Sequence, residues 1–175
     1  MTELIFEKQP SGYEALLRLT DNQRVVVHLD TGSPITIISI PDLLALTREN
    51  LSVFRIRVER FIEKHGTLNY GVYGSQITKV EHSFIPYVVK DIIIGETKVF
   101  RFLFWVDVTF YNKAIIEPTS ILFGYDYIFS GEKSFDKNDN FRIKIDSVVP
   151  DTKSIGYALS NLDDGIHEIS MLLKP

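Results

Sequence analysis

Val25-Val26-Val27-His28-Leu29-Asp30-Thr31-Gly32-Ser33 is an apolar, β-branched run that stops on a carboxylate and a turn of small residues. Three consecutive valines favour a strand. That strand draws Asp30 toward the interior, where an isolated charge costs several kcal/mol unless it is partnered. A carboxylate held at such a cost points to a chemical task. A single ionised Asp is a weak general base near neutral pH. Two carboxylates about 3 Å apart cannot both ionise, so they share a proton, divide the acid and base roles, and titrate as a unit. Thr31 offers a hydroxyl beside the carboxylate, Gly32 allows close backbone approach and an exposed N–H, and Ser33 supplies a further hydroxyl able to steady the charge. The chain holds no second Asp-Thr-Gly or Asp-Ser-Gly. The missing half of such a site has to come from a second copy of the chain, across a two-fold axis between two Asp30 side chains.

Working outward, most of the chain reads as β. Tyr13 to Leu19 and Arg24 to Leu29 are strand-like and flank the polar turn Thr20-Asp21-Asn22-Gln23. Ile35-Thr36-Ile37-Ile38-Ser39 follows the motif as a β-branched strand. Pro41-Asp42-Leu43-Leu44-Ala45-Leu46 then suits a short helix with Pro in its first turn. Residues 47–66 carry Arg48, Arg55, Arg57, Arg60 and Lys64, and their pattern fits helix and strand equally. Leu68 to Val72 and Ile77 to Val80 flank a hairpin tip at Tyr73-Gly74-Ser75-Gln76. Phe84 to Val89, Ile92 to Ile94 and Val99 to Val108 are further strands, the last two joined at Gly95-Glu96-Thr97-Lys98. Ile121-Leu122-Phe123-Gly124 is a short apolar strand that stops at a glycine, and Tyr125 to Phe129 can open a helix. Gly131 to Asn140 reads as a polar turn, Phe141 to Ile145 as an alternating strand, 151–165 as looser chain and His167 to Leu173 as a terminal strand. Many short strands with one or two short helices predict an all-β, closed barrel. No internal repeat or linker marks a second domain, so residues 1–175 are expected to form a single domain.

Composition excludes several functions. The 175 residues are 45% hydrophobic, which argues for a globular fold, and the net charge of −4 has no strongly basic stretch to mark a nucleic-acid footprint. With no cysteine, the chain has no disulfide, thiolate metal site or cysteine nucleophile. The N-terminus lacks the pattern of a signal peptide, and apolar runs such as Phe102 to Val106 are too short to span a bilayer. A cytoplasmic protein acting without cofactor, metal, membrane or nucleic acid is the expectation.

On two elements in order, the chain resembles the retropepsin-like aspartic proteases, the single-lobe, homodimeric relatives of pepsin. The first is the apolar run into Asp-Thr-Gly-Ser at 28–33, and the second is Ile121-Leu122-Phe123-Gly124. Tyr125-Asp126-Tyr127-Ile128 after Gly124 is similar to the Gly-x-Asp and short helix of the family's cellular and bacterial branch. The match spans roughly residues 13–146, with 147–175 as a C-terminal extension. The resemblance implies a closed barrel and peptide-bond hydrolysis by Asp30 with the Asp30 of a second subunit. It implies that Thr31 hydrogen-bonds across the dimer axis, Gly32 holds the carboxylates coplanar, and Ser33 favours the ionised form of the pair. Ile121, Leu122 and Gly124 would pack behind the catalytic loop. A flap should close over substrate, with Tyr70, Tyr73, Gly74 and Ser75 as its candidates. The partners implied are a second copy of the chain and a peptide or protein substrate. The rival reading is a catalytically silent dimerisation or peptide-binding module on the same fold.

Other polar residues have simpler expectations. Asp126 reads as a helix cap or structural hydrogen bond. His28 reads as a packed or hydrogen-bonded residue. His65, His82 and His167 show no metal-ligand spacing and read as exposed loop residues. The basic series at 48–64 reads as a solvated face. Phe100, Phe102 and Phe104 alternate toward one face of a strand, with Trp105 on the other.

Overall fold

The computed structural model describes residues 2–19, 23–73, 79–112, 121–128 and 131–145. β2 (Gly12–Leu19) and β3 (Arg24–Leu29) form the hairpin expected from their alternation, with Leu16 opposite Val26 and Leu17 opposite Val25. On its other edge β3 runs parallel to β8 (Ile121–Phe123), which in turn pairs antiparallel with β4 (Ile37–Ser39). β4 lies parallel to β7 (Thr97–Asp107), and β7 pairs antiparallel with β6 (Lys79–Ile94). Ile92–Ile94 of β6 then return to Leu17–Leu19 of β2. The pairings close a ring of six strands, β2-β3-β8-β4-β7-β6. The all-β closed barrel anticipated from the sequence is what the chain builds.

Two strands consecutive in sequence, β3 and β4, are not neighbours in this ring, because β8 inserts between them. Residues 30–36 must therefore pass around the end of β8. This crossing is the structural origin of the candidate site.

β1 (Thr2–Gln9), β10 (Phe141–Ile145) and β9 (Glu132–Phe135) extend the sheet beyond β2 in that order. β5 (Leu68–Tyr73) pairs with the first part of β6, forming the hairpin whose arms the sequence suggested. Pro86 lies in β6 beyond the stretch that pairs with β5 and before the stretch that pairs with β2, so its missing N–H leaves no strand partner unserved.

The helices follow local rules. α1 (Ile40–Thr47) carries Pro41 in its first turn, and the Ser39 hydroxyl accepts from the Asp42 N–H. α2 (Leu51–His65) starts at Asn50, whose side chain accepts from Ser52 N–H, and ends at Gly66, whose φ of 78° suits glycine. α2 settles the ambiguity of residues 47–66. Phe54, Val58, Phe61, Ile62 and His65 recur at helical spacing and turn inward, while Arg57, Arg60 and Lys64 are exposed. The third helix, α3 (Tyr125–Ile128), follows β8 directly.

Several expectations are corrected. Among the described residues there are three helices rather than one or two, and α2 is 15 residues long. Ile35 and Thr36 belong to the crossing loop, not to β4. The polar stretch 131–140 contains β9 before its turn, which Asp136 organises by accepting from the Asn138 and Asn140 N–H groups. Residues 2–9 form a strand that no expectation covered, with Leu4 and Phe6 alternating into the core. His65 is buried on α2 and packs on Phe61, and His82 lies in β6, so neither is an exposed loop residue. The segments 151–165 and 167–173, including His167, lie outside the described residues.

The core beneath the crossing is aromatic. Phe102 stacks on Tyr127 with ring centroids 4.4 Å apart, and Phe123 packs against Phe6 at 5.1 Å. Each such ring contributes about 1.5–3 kcal/mol by burial, with about 0.5–1.5 kcal/mol more for a well-placed aromatic pair. Trp105, also fully buried, falls outside the main cluster that holds Phe102 and Phe104, as the alternation predicted.

Candidate functional site

Asp30 follows directly on β3. Its backbone N–H donates to Phe123 O at 2.9 Å, which extends the β3–β8 ladder by one rung. The chain then turns: Ser33 N–H donates to Asp30 O at 3.2 Å, and Gly32 N–H donates to the Asp30 carboxylate at 2.9 Å. Asp30 is half-buried, while Thr31 and Gly32 are exposed at the loop tip. The half-buried carboxylate thus has one oxygen held by the backbone, next to the exposed Thr31–Gly32 tip. Among the described residues, no second acid is hydrogen-bonded to it.

Ser33 departs from its expected place. It is buried, and its hydroxyl donates to Ile35 O at 2.6 Å, so within the chain it braces the loop backbone rather than the carboxylate. The cause is the crossing: past Gly32 the chain dives under itself, carrying Ser33 and Ile35 inward.

The second motif lies directly behind this loop. Ile121 pairs with Val27 on one side and Ile38 on the other, and Leu122 pairs with His28 and Ile37. Gly124 is the point of closest approach. A Cβ at this position would stand 2.5 Å from the Ile35 carbonyl carbon and 2.9 Å from Ser33 O, so only glycine fits without moving backbone. Tyr125 N–H donates to Ser33 O at 2.7 Å, and Gly124 N–H donates to the Thr36 hydroxyl at 3.0 Å.

Asp126 fills the structural role its sequence context suggested. It is almost wholly buried and accepts from the Thr36 hydroxyl at 2.7 Å, from Thr36 N–H at 3.0 Å and from Tyr127 N–H at 3.0 Å. Burial pushes its carboxyl up to about 6, against the opposing pull of the bonds from Thr36 and Tyr127. Burial likewise raises the Tyr127 phenol well above its ordinary value, with the nearby Asp126 charge adding to the effect. The Tyr127 hydroxyl accepts from Leu103 N–H and donates to Leu103 O, both at 3.0 Å, standing in for a strand on that edge of β7.

Thr36 is the residue that motif reasoning missed. A signal for it existed: it is the only hydroxyl in the run Ile35 to Ile38, and a buried hydroxyl in an apolar run requires a partner.

Of the flap candidates, Tyr70 and Tyr73 lie in β5, in register with His82 and Lys79 of β6, while Gly74 and Ser75 lie outside the described residues. At the base of this hairpin, His82 Nδ1 sits 2.7 Å from Asp107 Oδ2, and Asp107 also accepts from the Thr109 N–H and hydroxyl. His28 lies 3.4 Å from Glu14 on the outer face of the β2–β3 hairpin. Among the described residues, no group of three His, Asp or Glu side chains is arranged to hold a metal ion. No described helix is long and apolar enough to cross a membrane.

No family model matches the sequence, and no curated protein matches it. Among solved structures, the chain is similar to a retropepsin-like aspartic protease from Rickettsia conorii. The identity is 14%, with 82% of this chain and 93% of the other covered, at a TM-score of 0.44. At that distance the likeness bears no functional argument, which rests on the site itself.

Proposed function

We propose that this chain is a cytoplasmic aspartic endopeptidase whose active site is completed when two copies bring their Asp30 carboxylates together. The observation that supports the reading is the setting of Asp30. The carboxylate sits half-buried at the end of a barrel strand, on a turn whose backbone is tied to β8 and whose tip is exposed. One chain supplies one such carboxylate, and the chemistry of the paired acid needs two.

In the proposed reaction the pair shares one proton and holds a water between its members. The ionised Asp30 takes a proton from the water as its oxygen attacks the peptide carbonyl carbon. The protonated partner gives its proton to the carbonyl oxygen, forming a neutral gem-diol. A diol proton then returns to one carboxylate, the amide nitrogen takes a proton from the other, and the C–N bond breaks. No covalent enzyme intermediate forms. Gly32 N–H keeps each carboxylate oriented, and Thr31, exposed at the loop tip, bonds across the two-fold axis in this reading. Substrate lies extended, pairing its backbone with the β5–β6 hairpin.

Asp30→Asn tests this. Cleavage of a random peptide library, followed by mass spectrometry, should fall to background while the sedimentation behaviour of the dimer is unchanged. Residual cleavage at the wild-type rate would refute the assignment, and full activity from a sedimenting monomer would refute the dimeric site. A dimer that binds peptides without cutting them identifies the silent module instead.

A further inference from the structure

We infer that Asp126 is a positioning residue for Asp30, acting through Thr36 to hold the crossing loop 30–36 onto the corner between β8 and α3. The inference rests on the reading of Asp30 as the catalytic acid, and it assigns work to a buried carboxyl which that reaction leaves unused.

The loop that carries Asp30 is pinned at three points. At its start, Asp30 N–H reaches Phe123 O; in its middle, Ser33 O receives Tyr125 N–H; at its end, Thr36 is gripped by Asp126 through both its N–H and its hydroxyl. The first two pins are backbone to backbone. Only the third depends on a side chain, and it is also the most heavily used. The Thr36 hydroxyl receives Gly124 N–H as it donates to Asp126 Oδ1, and Thr36 O receives Trp105 N–H at 2.8 Å. Loop, second motif and β7 therefore meet at Thr36, and Asp126 is the group that fixes it.

A residue that merely capped α3 would need only the Tyr127 N–H. Here two of the three donors to Asp126 come from Thr36, 90 positions earlier in the chain. The chemistry of those donors is also selective. Oδ2 accepts an N–H, and Oδ1 accepts an O–H and an N–H, so both oxygens act as acceptors. An asparagine has the same shape but offers one acceptor atom. Its amide group would confront Thr36 N–H in one orientation and Tyr127 N–H in the other. Burial pushes the Asp126 carboxyl up to about 6, and the bonds from Thr36 and Tyr127 oppose that rise by favouring the ionised, all-acceptor form.

The test compares wild type, Asp126→Asn, Thr36→Val and Thr36→Ser in the full chain. Two readouts are taken: steady-state cleavage of a defined peptide, and, without substrate, backbone amide exchange at Gly32, Ser33, Gly124 and Tyr125. A small misplacement of a catalytic group costs about 10²-fold, so Asp126→Asn and Thr36→Val should each lower kcat by about that factor, with KM within about threefold of wild type. Thr36→Ser, which restores the hydroxyl, should recover most of the rate lost in Thr36→Val. Gly124 and Tyr125 amides should exchange at least about tenfold faster in the two damaging variants. Folded variants with wild-type kcat, or equal losses in Thr36→Val and Thr36→Ser, would overturn the inference. If Asp126→Asn does not fold, Thr36→Val and Thr36→Ser decide alone. If the wild type cleaves nothing, the catalytic reading fails, and unchanged amide exchange would then overturn the clamp as well.

Discussion

Gly124→Ala is the sharpest probe of the crossing. The new Cβ would stand 2.5 Å from the Ile35 carbonyl carbon and 2.9 Å from Ser33 O, whereas ordinary contact begins at 3.4 Å. The Ile35 carbonyl oxygen would lie closer still, so the loop or β8 must move by more than about 0.9 Å, the difference between 3.4 and 2.5 Å, and all these contacts are backbone, so no rotamer change relieves them. A displacement of that size lengthens the 2.7 Å bond from Tyr125 N–H to Ser33 O, and the 3.0 Å bond from Gly124 N–H to Thr36, beyond useful range. Two buried hydrogen bonds lost at about 1–3 kcal/mol each, with about 1–3 kcal/mol for overpacking, make the expected destabilisation about 3 kcal/mol or more. That is a large share of the roughly 5–15 kcal/mol available to a domain. Urea unfolding with the m-value monitored measures it. Gly32→Ala serves as the internal comparison, since its Cβ meets only the Asp30 Oδ1 atom at 3.3 Å, and should stay within about 1 kcal/mol of wild type. The reasoning fails if Gly124→Ala unfolds within about 1 kcal/mol of wild type at an unchanged m-value.

Tyr127→Phe should cost about 1–3 kcal/mol, because it strands Leu103 N–H and C=O in the interior; calorimetry showing no loss would contradict the strand-substitute role of the hydroxyl. Stability should also carry a pH signature from Asp126. Its carboxyl is raised from 3.8 to about 6 on folding, so its stabilising contribution is full below about 4 and is lost as pH rises through about 6. The total change is about 3 kcal/mol, and the slope should disappear in Asp126→Asn. Parallel urea midpoints for the two proteins between pH 4 and 7 would refute it.

Elements governed by neighbours in sequence were legible without coordinates. The β2–β3 hairpin follows from period-2 alternation around a polar turn, α1 from Pro41 ahead of Leu43, Leu44 and Leu46, and the end of β8 from an apolar triplet meeting Gly124. α2 was obscured because Leu51, Val53 and Ile56 are apolar yet exposed, which blurs the helical spacing of positions 54, 58, 61, 62 and 65. β9 has no buried residue at all, so only its pairing with β10 makes it a strand.

Alone, the sequence determined which groups the candidate site contains. Asp30 sits at the end of a β-branched strand, in a turn that Gly32 and Ser33 can form, and with no second copy of the motif to complete it. Tertiary structure decided what holds that carboxylate in place. Insertion of β8 between β3 and β4 forces loop 30–36 over Gly124, turns Ser33 inward to Ile35 and brings Thr36 onto Asp126. No local rule links residues 90 positions apart. Their partnership follows from burial, which obliges a hydroxyl and a carboxylate enclosed under the same strand crossing to satisfy one another.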